Sequence, residues 1–131
     1  MRNGRYILAI TLLLAALGAA DALAAAGSYE AHARRPAYDS AALALVGTGS
    51  YRTARRHDEL KVTVCLRKRT AGRFFDVRCE TATGAGKKVK AQVSVPGCVA
   101  GVWRTRATGE TRGRSGEWIN QAVAVSKPFR C

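Results

Sequence analysis

All four cysteines of this 131-residue chain, Cys65, Cys79, Cys98 and Cys131, fall at or beyond residue 65. No pair has the two-residue spacing of a zinc knuckle, and both histidines, His32 and His57, precede the first cysteine. The pattern therefore predicts two disulfides and no metal site, in a chain that folds in an oxidising compartment. Cys65 and Cys79 are symmetric about Gly72, and Cys98 and Cys131 about the Arg114–Ser115 bond. Each pair can then meet across its own antiparallel hairpin, which favours Cys65–Cys79 and Cys98–Cys131, with the two other connectivities open. The first pairing carries a tension. It sets Leu66 opposite Arg78 and Arg67 opposite Val77, whereas side-chain alternation wants Val64 and Leu66 on one face with Phe75 and Val77. A β-bulge near one cysteine is the expected remedy, because one extra residue reverses the facing beyond it.

The N-terminus supports export. Arg2 and Arg5 precede an apolar run from Tyr6 to Ala20, followed by Asp21 and the small-residue stretch Ala22-Leu23-Ala24-Ala25-Ala26. This is the layout of a Sec-type signal peptide, and the run is shorter than the about 20 residues of a membrane span. Cleavage after Ala24 is preferred, giving a signal peptide over 1–24 and a secreted, extracellular protein with no span in its mature form. Residues 25–39 show neither helical nor strand period and contain Pro36, so they read as a flexible N-terminal arm.

Residues 40–131 read as one domain of short strands divided by turn residues. The segments are 41–53, interrupted by Gly47 and Gly49; 59–69; 73–80; 87–95; 99–108; and 118–127. Arg55 to Asp58, Ala71-Gly72, Thr83 to Gly86, Pro96-Gly97 and Gly109 to Gly116 are the expected turns and loops. Alternation points Val62, Val64 and Leu66 inward on the second segment, Val89, Ala91, Val93 and Val95 on the fourth, Trp103, Thr105 and Ala107 on the fifth, and Val123 and Val125 on the last. Half-apolar strands must cover one another, which predicts an all-β, two-sheet sandwich of six to seven strands.

The run Lys87-Lys-Val-Lys-Ala-Gln-Val-Ser-Val-Pro-Gly97, with Gly101-Val-Trp-Arg-Thr-Arg-Ala-Thr-Gly109 and Gln121-Ala-Val-Ala-Val-Ser126, resembles the last three strands of a fibronectin type III or immunoglobulin-like module. The chain is also similar to small secreted bacterial sandwich proteins that share a Gly-x-Trp-Arg-Thr stretch. The resemblance implies a fold and no activity. It also implies that the second and fifth strands are neighbours in one sheet.

Charge supplies the functional expectation. The formal charge is +13, falling to +12 once Arg2, Arg5 and Asp21 leave with the signal, and 16 of the 22 basic residues are arginine. Arginine grips phosphate and carboxylate through a planar fork, and such an excess attracts anionic polymers or cell-envelope components. If the second and fifth strands are neighbours, Lys61, Arg67, Arg69, Arg104 and Arg106 share one solvent face, which Arg112 and Arg114 extend. Solvation and protection from edge-to-edge aggregation account for the same charges more plainly. Codon bias gives the same arginine excess. Trp103 reads as core, while Tyr51, Phe74 and Trp118 are candidate stacking groups whose default is packing.

Nothing here reads as a catalytic site or a cofactor site. His57-Asp58-Glu59, with His32 and nearby arginines, is the best acid–base set a nuclease would find. Adjacent strand residues point apart, however, so a monomeric, non-catalytic binding module is expected. The alternative is a protein-interaction domain or a protease inhibitor that presents Cys98-Val99-Ala100-Gly101 beside a disulfide.

Overall fold

The turn at Ala71-Gly72 organises the chain. In the computed structural model, which describes residues 28–131, these two residues have φ of 53° and 78°, the pair of positive values that a two-residue type I′ hairpin turn needs. The turn joins β3 (Ala44–Thr70) to β4 (Arg73–Pro96), and five shorter strands complete the domain: β1 (Tyr29–Ala33), β2 (Ala37–Asp39), β5 (Val102–Arg112), β6 (Trp118–Val125) and β7 (Phe129–Arg130). The expected signal peptide, residues 1–24, lies outside the described residues.

The seven strands form a single antiparallel sheet rather than the two separate sheets expected. The first half of β3 pairs with β1 and β2 on one side and with the second half of β4 on the other. The second half of β3 lies between the first half of β4 and β5, and β5 in turn carries β6 and β7. Between the two halves the β3–β4 register slips twice, from Arg52 to His57 and from His57 to Leu60. Bulges of this kind bend a strand and increase its twist, and here the sheet creases and folds over itself. The expected turns at 55–58 and 83–86 are the two sides of this crease, with His57 opposite Gly86 and Leu60 opposite Gly84. Six expected segments thus become two long strands and two shorter ones.

The fold-over explains Gly47 and Gly49, which lie in a regular stretch of ladder and not at a bend. A Cβ on Gly49 would lie 2.7 Å from Val64 Cγ2 and 2.8 Å from Ala107 Cβ, and one on Gly47 would lie 2.9 Å from Leu66 Cδ2. Glycine is needed because the opposite layer touches the backbone there. Leu45, Tyr51, Leu60, Val62, Val64, Leu66, Val89, Ala91, Val93, Trp103 and Ala107 fill the space between the layers. The inward sets expected for 59–69, 87–95 and 99–108 are therefore correct, with Val95 only half-buried.

Three local expectations fail. Tyr29–Ala33, expected in a loose arm, is a strand on β3, with Tyr29, Ala31 and Ala33 half-buried and Glu30 and His32 exposed. Its alternation was hidden because two of the inward residues are alanine, and Pro36 sits in the gap before β2, where it removes no ladder bond. Val123 and Val125 face solvent. They stand opposite Thr108 and Arg106, so Ala122 and Ala124 take the inward side, next to β1. Phe75 and Val77 are also exposed, at 54% and 50%.

Both disulfides are the preferred ones, Cys65–Cys79 and Cys98–Cys131. The bulge that the first required is present. Leu66 pairs with Arg78 and Arg67 with Asp76, leaving Val77 unpaired.

Candidate anion-binding faces

Alternation along the second half of β3 and along β5 turns Lys61, Arg67, Arg69, Arg104 and Arg106 away from the core. Their register brings them together: Arg67 lies directly opposite Arg104, Cys65 opposite Arg106, and Lys61 opposite Glu110. Arg69 stands one row nearer the hairpin tip, opposite Phe74 of β4. Arg112 ends β5, and Arg114 is exposed in the turn that Gly113 and Glu117 close by a 2.7 Å hydrogen bond.

This face has two ends with different electrostatics. Near the crease the charges are compensated. Lys61 Nζ is 3.6 Å from Glu110, and Arg112 Nη1 donates to both oxygens of Glu59 at 3.0 and 2.8 Å. Both cations also lie over the half-buried Trp118 ring, at 4.5 and 5.5 Å from its centroid. That ring is a packing platform for its own cations. Toward the tip the charges crowd. Arg67 is held by Asp76 at 2.8 Å and donates through Nη2 to the Phe74 carbonyl at 2.9 Å. The Arg104 guanidinium stacks 3.9 Å above Phe74, and its buried Nε has no hydrogen-bond partner. Burial, and then the neighbouring charges of Arg67 and Arg106, hold Arg104 below the usual arginine range. Arg69, Arg104, Arg106 and Arg114 have no carboxylate partner among the described residues. Val123 and Val125 give the same face an exposed apolar margin beside Arg106.

A second basic face was not anticipated. It covers the outward side of the other layer, where the rows His32–Ser50–Lys90 and Glu30–Arg52–Lys88 cross β1, β3 and β4. Lys88 and Lys90 were legible as outward residues. Their neighbours Arg34 and His32 were not, because the inward alanines of 29–33 leave no strand period in that segment.

The remaining candidates assemble only in part. His57 and Glu59 line a hollow at the crease with Arg56, Asp58 and Arg112, while His32 belongs to the other layer's face. Tyr51 is fully buried and stacks on Tyr29. Cys65, Asp76 and Cys79 lie within reach of one another, but both sulfurs are committed to the disulfide.

No protein-family model matches the chain, and no curated protein matches it. Among solved structures it is similar to a structural-genomics target at 13% identity, with a TM-score of 0.35 over 79% of this chain and 85% of that one. It is also similar to a Bordetella pertussis protein with the provisional name ApaA, at 12% identity and a TM-score of 0.34 over 74% of this chain and 89% of that one. Both overlaps are too loose for a shared fold or activity to follow.

Proposed function

We propose that the protein is an exported, non-catalytic binding module that holds an extended anionic polymer against the tip end of the β3/β5 face. One observation carries this reading: Arg67 and Arg104 stand directly opposite each other, with Arg106 one row toward the crease and Arg69 one row toward the tip. Like charges directly opposite in a ladder are destabilising. Asp76 offsets Arg67, but Arg69, Arg104 and Arg106 around it have no such acid among the described residues, and an anion crossing the strands supplies the missing negative charge and takes up their guanidinium forks. Val123, Val125 and the Phe74 ring offer apolar contact for the polymer's uncharged parts. Two disulfides suit an oxidising compartment, and with the N-terminal pattern they support export. The immunoglobulin-like resemblance enters this proposal only as two facing layers with Trp103 inward and Arg104 and Arg106 outward on β5.

The test compares heparin retention of three oxidised proteins: wild type; a variant with Arg67, Arg69, Arg104 and Arg106 changed to Ser; and a control with Arg55, Arg56, Arg73 and Lys87 changed to Ser. The reading expects the first variant to elute at clearly lower salt than the equally charged control, because counterion release counts only cations that touch the polymer. Equal elution of the two variants would mean that net charge alone sets retention.

A second reading rests on the loop Cys98–Gly101. Val99 is 51% exposed, and the loop is pinned by the disulfide, by Trp103 Nε1 donating to the Val99 carbonyl at 2.9 Å, and by paired backbone bonds between Gly101 and Cys131. A rigid exposed loop of this kind is what a substrate-like protease inhibitor presents. Inhibition of a subtilisin-type protease that is lost in Val99→Asp would favour it.

A further inference from the structure

The outward side of the first layer carries a depression of about 330 Å³, near the lower end of the roughly 300–1,000 Å³ typical of small-ligand pockets. Its shape follows from side-chain length. β3 contributes the short Thr48 and Ser50 to the floor, while Arg34 and His32 rise on the β1 side and Lys88 and Lys90 on the β4 side. We propose that this depression is a binding site for a compact phosphate-type oxyanion, separate from the polymer-binding face and on the opposite outward surface.

The charge arrangement is the first argument. Arg34, Arg52, Lys88 and Lys90 line the depression, and Glu30 is its only carboxylate. Glu30 lies 3.9 Å from His32 Nε2, and none of the four cations has an ion-pair partner among the described residues. Arg52 and Lys88 occupy directly opposite positions in the ladder, with Lys90 next along β4. Directly opposed side chains have Cβ atoms about 4.5–5.5 Å apart, and like charges at that spacing are unfavourable. Arg67 on the other face is ion-paired with Asp76 at 2.8 Å, whereas Glu30, opposite Arg52 in the ladder, turns to His32 and forms no ion pair with Arg52 or Lys88.

Donor geometry is the second. Ammonium and guanidinium donors arrive from three strands, Arg34 after β1, Arg52 from β3, and Lys88 and Lys90 from β4, above two hydroxyls that can also donate. A tetrahedral oxyanion presents oxygens in several directions and can engage all three sides, whereas a planar carboxylate engages one. Apart from His32, no aromatic ring lines the depression, so a base or sugar would find no stacking surface. The recognised unit is therefore the phosphate itself.

The test follows backbone amide shifts while inorganic phosphate is titrated at constant ionic strength, with acetate as comparator. Saturable shifts confined to the neighbourhoods of His32, Ser50 and Lys90 are expected, with acetate producing none. Affinity should fall about tenfold or more in Arg52→Ser/Lys88→Ser, where two charge-assisted bonds are lost, and should be unchanged in Arg67→Ser/Arg104→Ser. Phosphate should also raise the melting temperature of the wild type but not of Arg52→Ser/Lys88→Ser, a linkage effect that guards against a merely misfolded variant. Tighter binding of glycerol 3-phosphate would identify a phosphate ester as the natural ligand, and equal binding would identify free phosphate. Non-saturating shifts, or shifts spread over both faces, would overturn the proposal. Because the heparin comparison uses different residues, either proposal can fail while the other stands.

Discussion

Gly109→Ala gives the sharpest test of the folded-over sheet. Gly109 lies on the inward side of β5 against the ring of Tyr51, which belongs to the other layer and is fully buried. A Cβ at this position would sit 2.6 Å from Tyr51 Cε2, and closer still to Cδ2 and Cγ. Carbon atoms pack at about 3.5–4.0 Å, so the ring must withdraw by roughly 1 Å or more. Its retreat is limited, because the ring of Tyr29 stacks on it with centroids 6.4 Å apart and planes within 10°. Overpacking of this kind costs about 1–3 kcal/mol, and the depth of the clash puts Gly109→Ala near the top of that range. For a domain of this size, such a loss lowers the melting temperature by roughly 10–20 °C, which thermal unfolding followed by near-ultraviolet circular dichroism would resolve. The assignment to Tyr51 is checked by a cycle. Tyr51→Ala alone should cost about 3–5 kcal/mol through the cavity it leaves, and adding Gly109→Ala to it should cost little, since the new methyl points into that cavity. The coupling should therefore be about 2 kcal/mol or more. If Gly109→Ala is nearly neutral, or costs the same in both backgrounds, the two layers do not meet as described.

Three further predictions concern the same core and the covalent frame. The Tyr51 hydroxyl is buried without a partner, so Tyr51→Phe should stabilise the protein by about 1 kcal/mol, the low end of the cost of an unsatisfied buried group. Burial, and secondarily Tyr29, pushes the Tyr51 phenol above its ordinary value of 10.0. Above pH 10 the unfolded chain therefore releases a proton that the folded one keeps, and stability falls as pH rises, by up to about 1.4 kcal/mol per pH unit. Urea titrations between pH 8 and 11 should show that slope reduced in Tyr51→Phe. The disulfides close sequence separations of 14 and 33 residues. Replacing Cys98 and Cys131 by alanine should accordingly cost about 4 kcal/mol, and replacing Cys65 and Cys79 about 3 kcal/mol. The reverse order in urea would show that loop entropy does not govern their contribution.

What was legible in the sequence was local. The Ala71-Gly72 turn, the alternation of 59–69 and 99–108, and the symmetric cysteines depend on neighbours along the chain. The conflict between cysteine pairing and alternation even located a bulge, which falls at Val77. The illegible parts depend on non-local contacts. Gly47 and Gly49 looked like strand breakers because sequence shows the missing side chain, not the Val64, Leu66 and Ala107 side chains that exclude it. Inward alanines in β1 and β6 have too little hydrophobic contrast to announce a face, so β1 was missed and Val123 and Val125 were turned the wrong way. The same limit governs the candidate sites. The β3/β5 cluster needed one strand adjacency and was anticipated, whereas the depression needed the registers of β1, β3 and β4 together.

The hairpin tip at Ala71-Gly72 is exposed and has the Cys65–Cys79 bridge a short way behind it on both arms. If the chain were cut between these two residues, the halves would stay covalently joined through sulfur and aligned by the pairs from Thr70–Arg73 back to the crease. The depression on the first layer would be untouched, whereas Arg69 and Phe74 of the β3/β5 face lie two residues from the cut. The tip is therefore the place to graft a fluorophore, a tether to a solid support or a foreign peptide, and the place where the gene can be split so that two separately made fragments reassemble under oxidising conditions.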